Sequence, residues 1–73
     1  MSKYAVVIER GEKSYGAYVP DLPGCVAAAE TRAEVEKLIA EAINLHIESL
    51  RAQGDPVPQP NPAVEYIEPA AVA

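Results

Sequence analysis

The chain has 73 residues, of which eleven are acidic and six basic, giving a formal net charge of −5. This charge opposes binding to the phosphate backbone of nucleic acid, and one cysteine with one histidine excludes an internal disulfide and a protein-built zinc site. A core in a domain this small seldom supplies more than about 3–5 kcal/mol, so we expect another protein chain to contribute to stability.

No apolar run approaches the length of about 20 residues that a membrane-spanning helix needs. The sequence shows no pattern of an export signal, and a single cysteine is typical of a reducing compartment. We therefore expect no membrane association and a cytoplasmic location.

Three short strands are predicted in the first part of the chain, at about 3–10, 14–19 and 25–29. The first is rich in β-branched residues and is followed by the polar turn "RGEK", which is typical of a hairpin. The second alternates with period two, so that Tyr15 and Tyr18 fall on opposite faces. The third, "CVAAA", has small side chains that leave room for a helix above them.

The stretch "YVPDLPGCV" forms a stiff corner between the second and third strands. Pro20 and Pro23 fix φ at two points, and the Asp21 side chain is suited to accepting backbone hydrogen bonds. One interpretation is a pre-ordered turn with a purely structural role. The other is that the rigid loop also presents Tyr18, Asp21 and Leu22 to a partner, since little ordering is then needed on binding.

A helix is predicted over about 32–53. Thr31 followed by Glu34 matches a capping box, no Gly or Pro interrupts the segment, and Gly54 stands where a helix C-terminus favours glycine. Apolar side chains recur at helical spacing, and the stripe is wider than packing on a small sheet requires. The stripe comprises Val35, Leu38, Ile39, Ala42, Ile43, Leu45, His46, Ile47 and Leu50.

Glutamates at 34, 41 and 48 recur every seven residues and form an acidic ridge along this helix. Such a ridge is usually a solvated face. It is also suited to steering a basic partner toward the helix.

A proline-rich connector at 55–62 follows the helix, and "AVEYIEP" then predicts a fourth strand at about 63–68. The element order is therefore β-β-β-α-β, in one α+β domain spanning 1–73. If the last strand joins parallel to the first, the right-handed crossover rule gives the strand order 3-2-1-4. One sheet face is then left without a helix, and its apolar side chains predict a homo-oligomer, either a dimer or a tetramer.

The corner and helix together resemble the HicB family of antitoxins over about residues 3–68. The shared pattern runs through the corner as "Y-x-A-Y-V-P-D-L-P-G-C" and through the helix as "T-x-x-E…EAI-x-L-H-I-E-x-L…G-x-P-x-P-x-P". The residues that carry it are Tyr15, Ala17, Tyr18, Val19, Pro20, Asp21, Leu22, Pro23, Gly24, Cys25, Thr31, Glu34, Glu41, Ala42, Ile43, Leu45, His46, Leu50, Gly54, Pro56, Pro58 and Pro60.

This resemblance implies a partial ribonuclease-H-like fold, with one helix packed on one face of a four-stranded sheet. It also implies a binding protein that neutralises a HicA-type toxin, a small basic mRNA-cleaving protein, by covering its active site. The alternative is an orphan homo-oligomeric interaction or scaffold module of the same fold. In either case we expect the contact residues to include Tyr15, Tyr18, Asp21, Leu22, Glu34 and Glu41.

No enzymatic activity or cofactor is expected. Nuclease chemistry of the ribonuclease type needs clustered carboxylates that hold two divalent metal ions, whereas the first strand offers only Glu9. Cys25, on an apolar strand, is expected to be a small buried hydrophobe. His46 lies in the helical stripe and is expected to face the core.

Overall fold

The computed structural model describes residues 3–60 and 69–70. Three antiparallel strands form a sheet in the order β1-β2-β3, and one long helix, α1, follows. The elements are β1 (Val7–Arg10), β2 (Tyr15–Tyr18), β3 (Val26–Ala29) and α1 (Arg32–Ala52). The α+β class and the β-β-β-α order are thus confirmed, while the predicted strand at 63–68 lies outside the described residues.

The strands are shorter than their apolar patterns predict. β1 pairs with β2 from Val7 opposite Tyr18 to Arg10 opposite Tyr15. Residues 4–6 continue the apolar pattern, but they lie beyond the end of β2 and so find no partner in that strand. The hairpin between the two strands closes through a hydrogen bond of 2.7 Å from the Gly11 amide to the Ser14 carbonyl.

The two faces of the sheet differ as the period-two pattern predicts. Ala17 and Val19 are buried, and Tyr15 and Ile8 pack against the same core, so this face meets the helix. The helix lies mainly over β3 and to a lesser extent over β2, where Ala27 and Ala29 admit it closely. The core side chains are Ala17, Val19, Leu22, Cys25, Val35 and Ile39.

The stiff corner supplies three of the six buried apolar side chains in the described part of the chain. Leu22 has 0% of its side chain exposed, and the flanking Val19 and Cys25 are also buried. Three backbone hydrogen bonds of 3.0 to 3.1 Å tie the loop together, from the Leu22 amide to Val19, from the Cys25 amide to Leu22 and from the Val19 amide to Cys25. Gly24 takes a φ of 86°, a left-handed conformation that side chains disfavour. The corner is thus a pre-ordered turn, as Pro20 and Pro23 predict, and it also contributes side chains to the core.

Both ends of α1 are built from the residues that the sequence indicates. The Thr31 hydroxyl oxygen accepts a hydrogen bond of 3.1 Å from the Glu34 amide. The Glu34 carboxylate accepts from the Thr31 hydroxyl, where the capping-box motif predicts the Thr31 amide as donor. At the other end, Gly54 has a φ of 75°. The Gly54 amide donates to the Arg51 carbonyl and the Asp55 amide donates to the Leu50 carbonyl, which is a Schellman motif.

The chain beyond α1 returns to the start of the sheet. The Tyr4 hydroxyl donates a hydrogen bond to the Pro58 carbonyl, so the proline-rich connector lies beside the residues that lead into β1. Val57 and Pro60 of this connector are half-buried. Over the parts of the chain that the structure describes, no helix has the length and apolar character needed to cross a membrane.

Candidate partner-binding surfaces

An exposed apolar strip runs along the side of α1 that does not meet the sheet. Leu38 and Leu45, seven residues apart, are 41% and 66% exposed. Glu34, Glu41 and Glu48 have the same spacing and are also exposed. At about 100° per residue all five side chains fall within roughly a quarter of the helix circumference. We call these five residues the helix strip; it combines apolar area with three carboxylates.

The N-terminal half of the helix strip contains a small concavity. Glu34, Lys37, Leu38 and Glu41 line it, and its volume is about 260 Å³. Its wall therefore combines one apolar side chain with two carboxylates and the ammonium group of Lys37. The carboxylates outnumber the ammonium group, so the wall keeps a net negative charge that suits an arginine or lysine of a partner, whose aliphatic stem packs on the leucine.

A second exposed apolar surface lies on the face of the sheet opposite the helix. Val7, Tyr18 and Val26 stand directly opposite one another on the three strands, and we call them the sheet row. Tyr18 is 41% exposed and Val26 is 65% exposed. The neighbouring row consists of Glu9, Gly16 and Ala28. This face therefore carries exposed apolar side chains, which agrees with the sequence-based expectation.

The structure separates the six predicted contact residues instead of gathering them into one site. Glu34 and Glu41 lie together on the helix strip, and Tyr18 lies in the sheet row. Asp21 is half-buried in the corner. Tyr15 packs against the core and lines a polar concavity of about 350 Å³ between the hairpin and the start of α1.

Leu22 has a different place from the other predicted contact residues. Its side chain is fully buried among the core residues of this chain, so it has no surface to offer a partner. We therefore withdraw Leu22 from the expected contact set. The corner turns this side chain inward because its amide and carbonyl both bond within the loop.

Three exposed side chains that the contact prediction omitted are Leu38, Leu45 and Val26. The two leucines were recognisable as members of a helical stripe too wide for one small sheet. Val26 was recognisable from alternation, because it lies between Cys25 and Ala27, which point toward the core side.

Among the residues that the structure describes, the titratable side chains give no sign of a reactive centre. Burial raises the pKa of the Cys25 thiol above its ordinary value, which keeps it protonated and poorly nucleophilic. His46 is half-buried on α1. Within the described ranges no group of three or more His, Cys, Asp or Glu side chains is placed to hold a metal ion.

Comparisons with known proteins agree with this architecture. Residues 4–71 match the family model of the HicB-like antitoxin of bacterial toxin-antitoxin systems. A UPF0150 protein of Thermoplasma acidophilum is 40% identical over 60 residues, which cover 81% of this chain and 87% of that protein. A UPF0150 protein of Synechocystis is 42% identical over 57 residues, covering 77% of this chain and 72% of that protein.

A longer relative comes from Haemophilus phage HP1, an uncharacterised 14.9 kDa protein in the rep-hol intergenic region. It is 38% identical over 64 residues, which cover 88% of this chain but only 48% of the phage protein, so the match spans about half the length of that relative. Among solved structures, a chain of the HicA3 and HicB3 toxin-antitoxin complex superposes with a TM-score of 0.68. It is 37% identical, with coverage of 78% of this chain and 66% of that chain.

These matches identify an antitoxin domain of a bacterial toxin-antitoxin system. The chain belongs to the HicB-like antitoxin family, and it is structurally similar to the HicB3 antitoxin found in complex with its HicA3 toxin. This family is non-enzymatic, which confirms the sequence-based rejection of nuclease activity.

Proposed function

We propose that this chain neutralises a HicA-type mRNA-cleaving toxin by binding it and covering its active site. The observation that carries the proposal is the similarity to the HicB3 antitoxin, whose structure is that of a complex with its HicA3 toxin. At 37% identity and a TM-score of 0.68, the likeness extends to sequence as well as to fold.

The helix strip is the surface that we assign to the toxin. A net charge of −5 attracts a basic protein over long range and raises its association rate. Leu38 and Leu45 then supply exposed apolar area, and Glu34 and Glu41 flank the concavity suited to a basic side chain. The carboxylates that attract a basic toxin and the apolar side chains that it would cover therefore lie on the same surface, the helix strip.

The proposal includes one domain over 1–73 with a fourth strand at 63–68. The bond between the Tyr4 hydroxyl and the Pro58 carbonyl supports this, because it brings the connector to the start of β1. A strand that begins there would run parallel to β1 along its outer edge, giving the order 3-2-1-4 of a partial ribonuclease-H-like sheet.

Co-expression with a HicA-type protein encoded beside this gene tests the function. We expect a stable complex and restored growth; absence of both would refute the proposal and leave the orphan homo-oligomeric module as the better description. In the cell, the same pair should co-purify from the native host.

Charge reversal tests the assigned surface. The variant E41K/E48K reverses two glutamates of the helix strip, and E12K/D55K is its matched control because it changes net charge equally at exposed sites elsewhere. We expect the first to weaken toxin binding at least about tenfold more than the second. Equal weakening would mean that only net charge matters, and the helix strip would lose its assignment.

A substitution at Tyr18 tests the alternative that the toxin binds the sheet row. Tyr18 is the predicted contact residue that lies in the sheet row, so Tyr18→Ala removes apolar area from that face without touching α1. If this variant abolishes toxin binding while E41K/E48K leaves it intact, the toxin covers the sheet row instead. Circular dichroism of each variant establishes that the fold is retained.

A further inference from the structure

We propose that the outer edge of β3 pairs with β3 of a second copy of this chain, antiparallel about a two-fold axis at Ala27. Each copy would thereby continue the sheet of the other. The proposal concerns self-association and is independent of whether the chain binds a toxin.

The backbone of β3 is arranged for this pairing. In the described residues β3 ends the sheet, with β2 on its inner side only. The Val19 amide donates to the Cys25 carbonyl at 3.1 Å, so the Cys25 carbonyl points toward the side of β2. Because the backbone groups of successive residues point to alternate sides of a strand, the amide and carbonyl groups of Val26 and Ala28 point outward, away from β2.

A two-fold axis at Ala27 satisfies these outward groups. It places Val26 of each copy opposite Ala28 of the other, so that both residues exchange amide-to-carbonyl bonds with their counterparts. Four interchain hydrogen bonds result, and Ala27 faces its own copy as a non-hydrogen-bonded pair. The small side chains at 27, 28 and 29 leave the approach unobstructed.

β3 carries none of the side-chain features that keep an edge strand from pairing. Such edges often carry a charged residue, a proline or a bulge, whereas the four residues Val26–Ala29 are "VAAA" and pair with β2 in unbroken register. Residues 22–29 contain no charged side chain. An unprotected neutral edge of this kind favours another strand as its occupant.

The charges on the two surfaces indicate that a second copy of this chain binds at the β3 edge and not at the helix strip. Two helix strips brought together would oppose three glutamates with three glutamates, which is unfavourable for self-association. At the neutral edge, two chains of net charge −5 meet without bringing like charges into contact. The two surfaces therefore suit different partners.

Ala28→Pro tests the pairing through the backbone. The proline removes an outward amide that β2 does not use, and prolines occur at edge strands in this orientation. By symmetry each dimer loses two interchain hydrogen bonds, so we expect the dimer dissociation constant to rise at least about tenfold. Sedimentation equilibrium measures the constant, and thermal melting followed by circular dichroism measures retention of the fold.

Val26→Lys is a second variant that leaves the backbone intact and places a charge beside the axis, and Leu45→Lys is the control on the helix strip. We expect dimers for the unmodified chain and for Leu45→Lys, and monomers for the β3 variants. The proposal is overturned if the unmodified chain is monomeric at millimolar concentration. It is equally overturned if the folded β3 variants dimerise as tightly as the unmodified chain, whatever the state of Leu45→Lys. Toxin binding by a monomeric β3 variant would leave the proposed function standing.

Discussion

The substitution Leu22→Ala separates a core role of the corner from a role in partner contact. Leu22 is fully buried, and truncating a leucine in such a place costs about 2–5 kcal/mol. We expect a value of about 3 kcal/mol or more, because the loop cannot collapse into the vacated space. Pro20 and Pro23 restrict the backbone of this loop, and the Leu22 and Cys25 amides already donate hydrogen bonds within the corner.

The expected loss for Leu22→Ala is large in relation to the total unfolding free energy of the domain. A core in a domain of this size supplies about 3–5 kcal/mol. A loss of about 3 kcal/mol from a total of about 4 leaves about 1 kcal/mol, which corresponds to a folded-to-unfolded ratio of about five. Leu22→Ala should therefore be partly unfolded in the absence of denaturant.

Leu45→Ala is the matched control, since it makes the same chemical change on the exposed helix strip. We expect its unfolding free energy to stay within about 0.5 kcal/mol of the unmodified chain. Urea unfolding followed by the helical signal of α1 measures both variants, at one protein concentration because association shifts apparent stability. A cost below about 1 kcal/mol for Leu22→Ala would refute the reasoning.

Four further substitutions test local features of the fold. Thr31→Ala removes the hydroxyl that accepts from the Glu34 amide and should lower the unfolding free energy by about 0.5–2 kcal/mol; an unchanged urea midpoint would contradict this role. Gly24→Ala should cost about 1–2 kcal/mol, because φ is 86° there, whereas Gly16→Ala, in open space and without a left-handed φ, should be neutral or stabilise by up to about 1 kcal/mol. Comparing their thermal midpoints checks both values. Burial raises the Cys25 pKa above its ordinary 9.0, so the unfolded state loses its thiol proton first, and stability should fall as pH rises through 9; if Cys25→Ala shows the same slope in unfolding free energy against pH, the thiol is not its cause.

The sequence is informative wherever a structure depends on neighbouring residues. The period-two pattern predicts the two faces of β2, and Thr31 with Gly54 predicts the ends of α1, because caps and turns are made by hydrogen bonds between groups a few positions apart. The corner is likewise predictable as a rigid turn from Pro20 and Pro23. The family resemblance rests on these same segments.

The functional surfaces depend on which side of each element another element covers. Leu22 and Leu45 are both apolar residues in predictable elements, yet one is fully buried and the other largely exposed. Their difference arises only when α1 lies over β3 and the corner closes beneath it. The sequence by itself determined the existence and order of the three described strands, the turns between them, the helix and its caps, because these follow from local hydrogen bonding and periodicity. Tertiary structure alone decided which apolar side chains remain at the surface, because burial is a property of the contacts between elements.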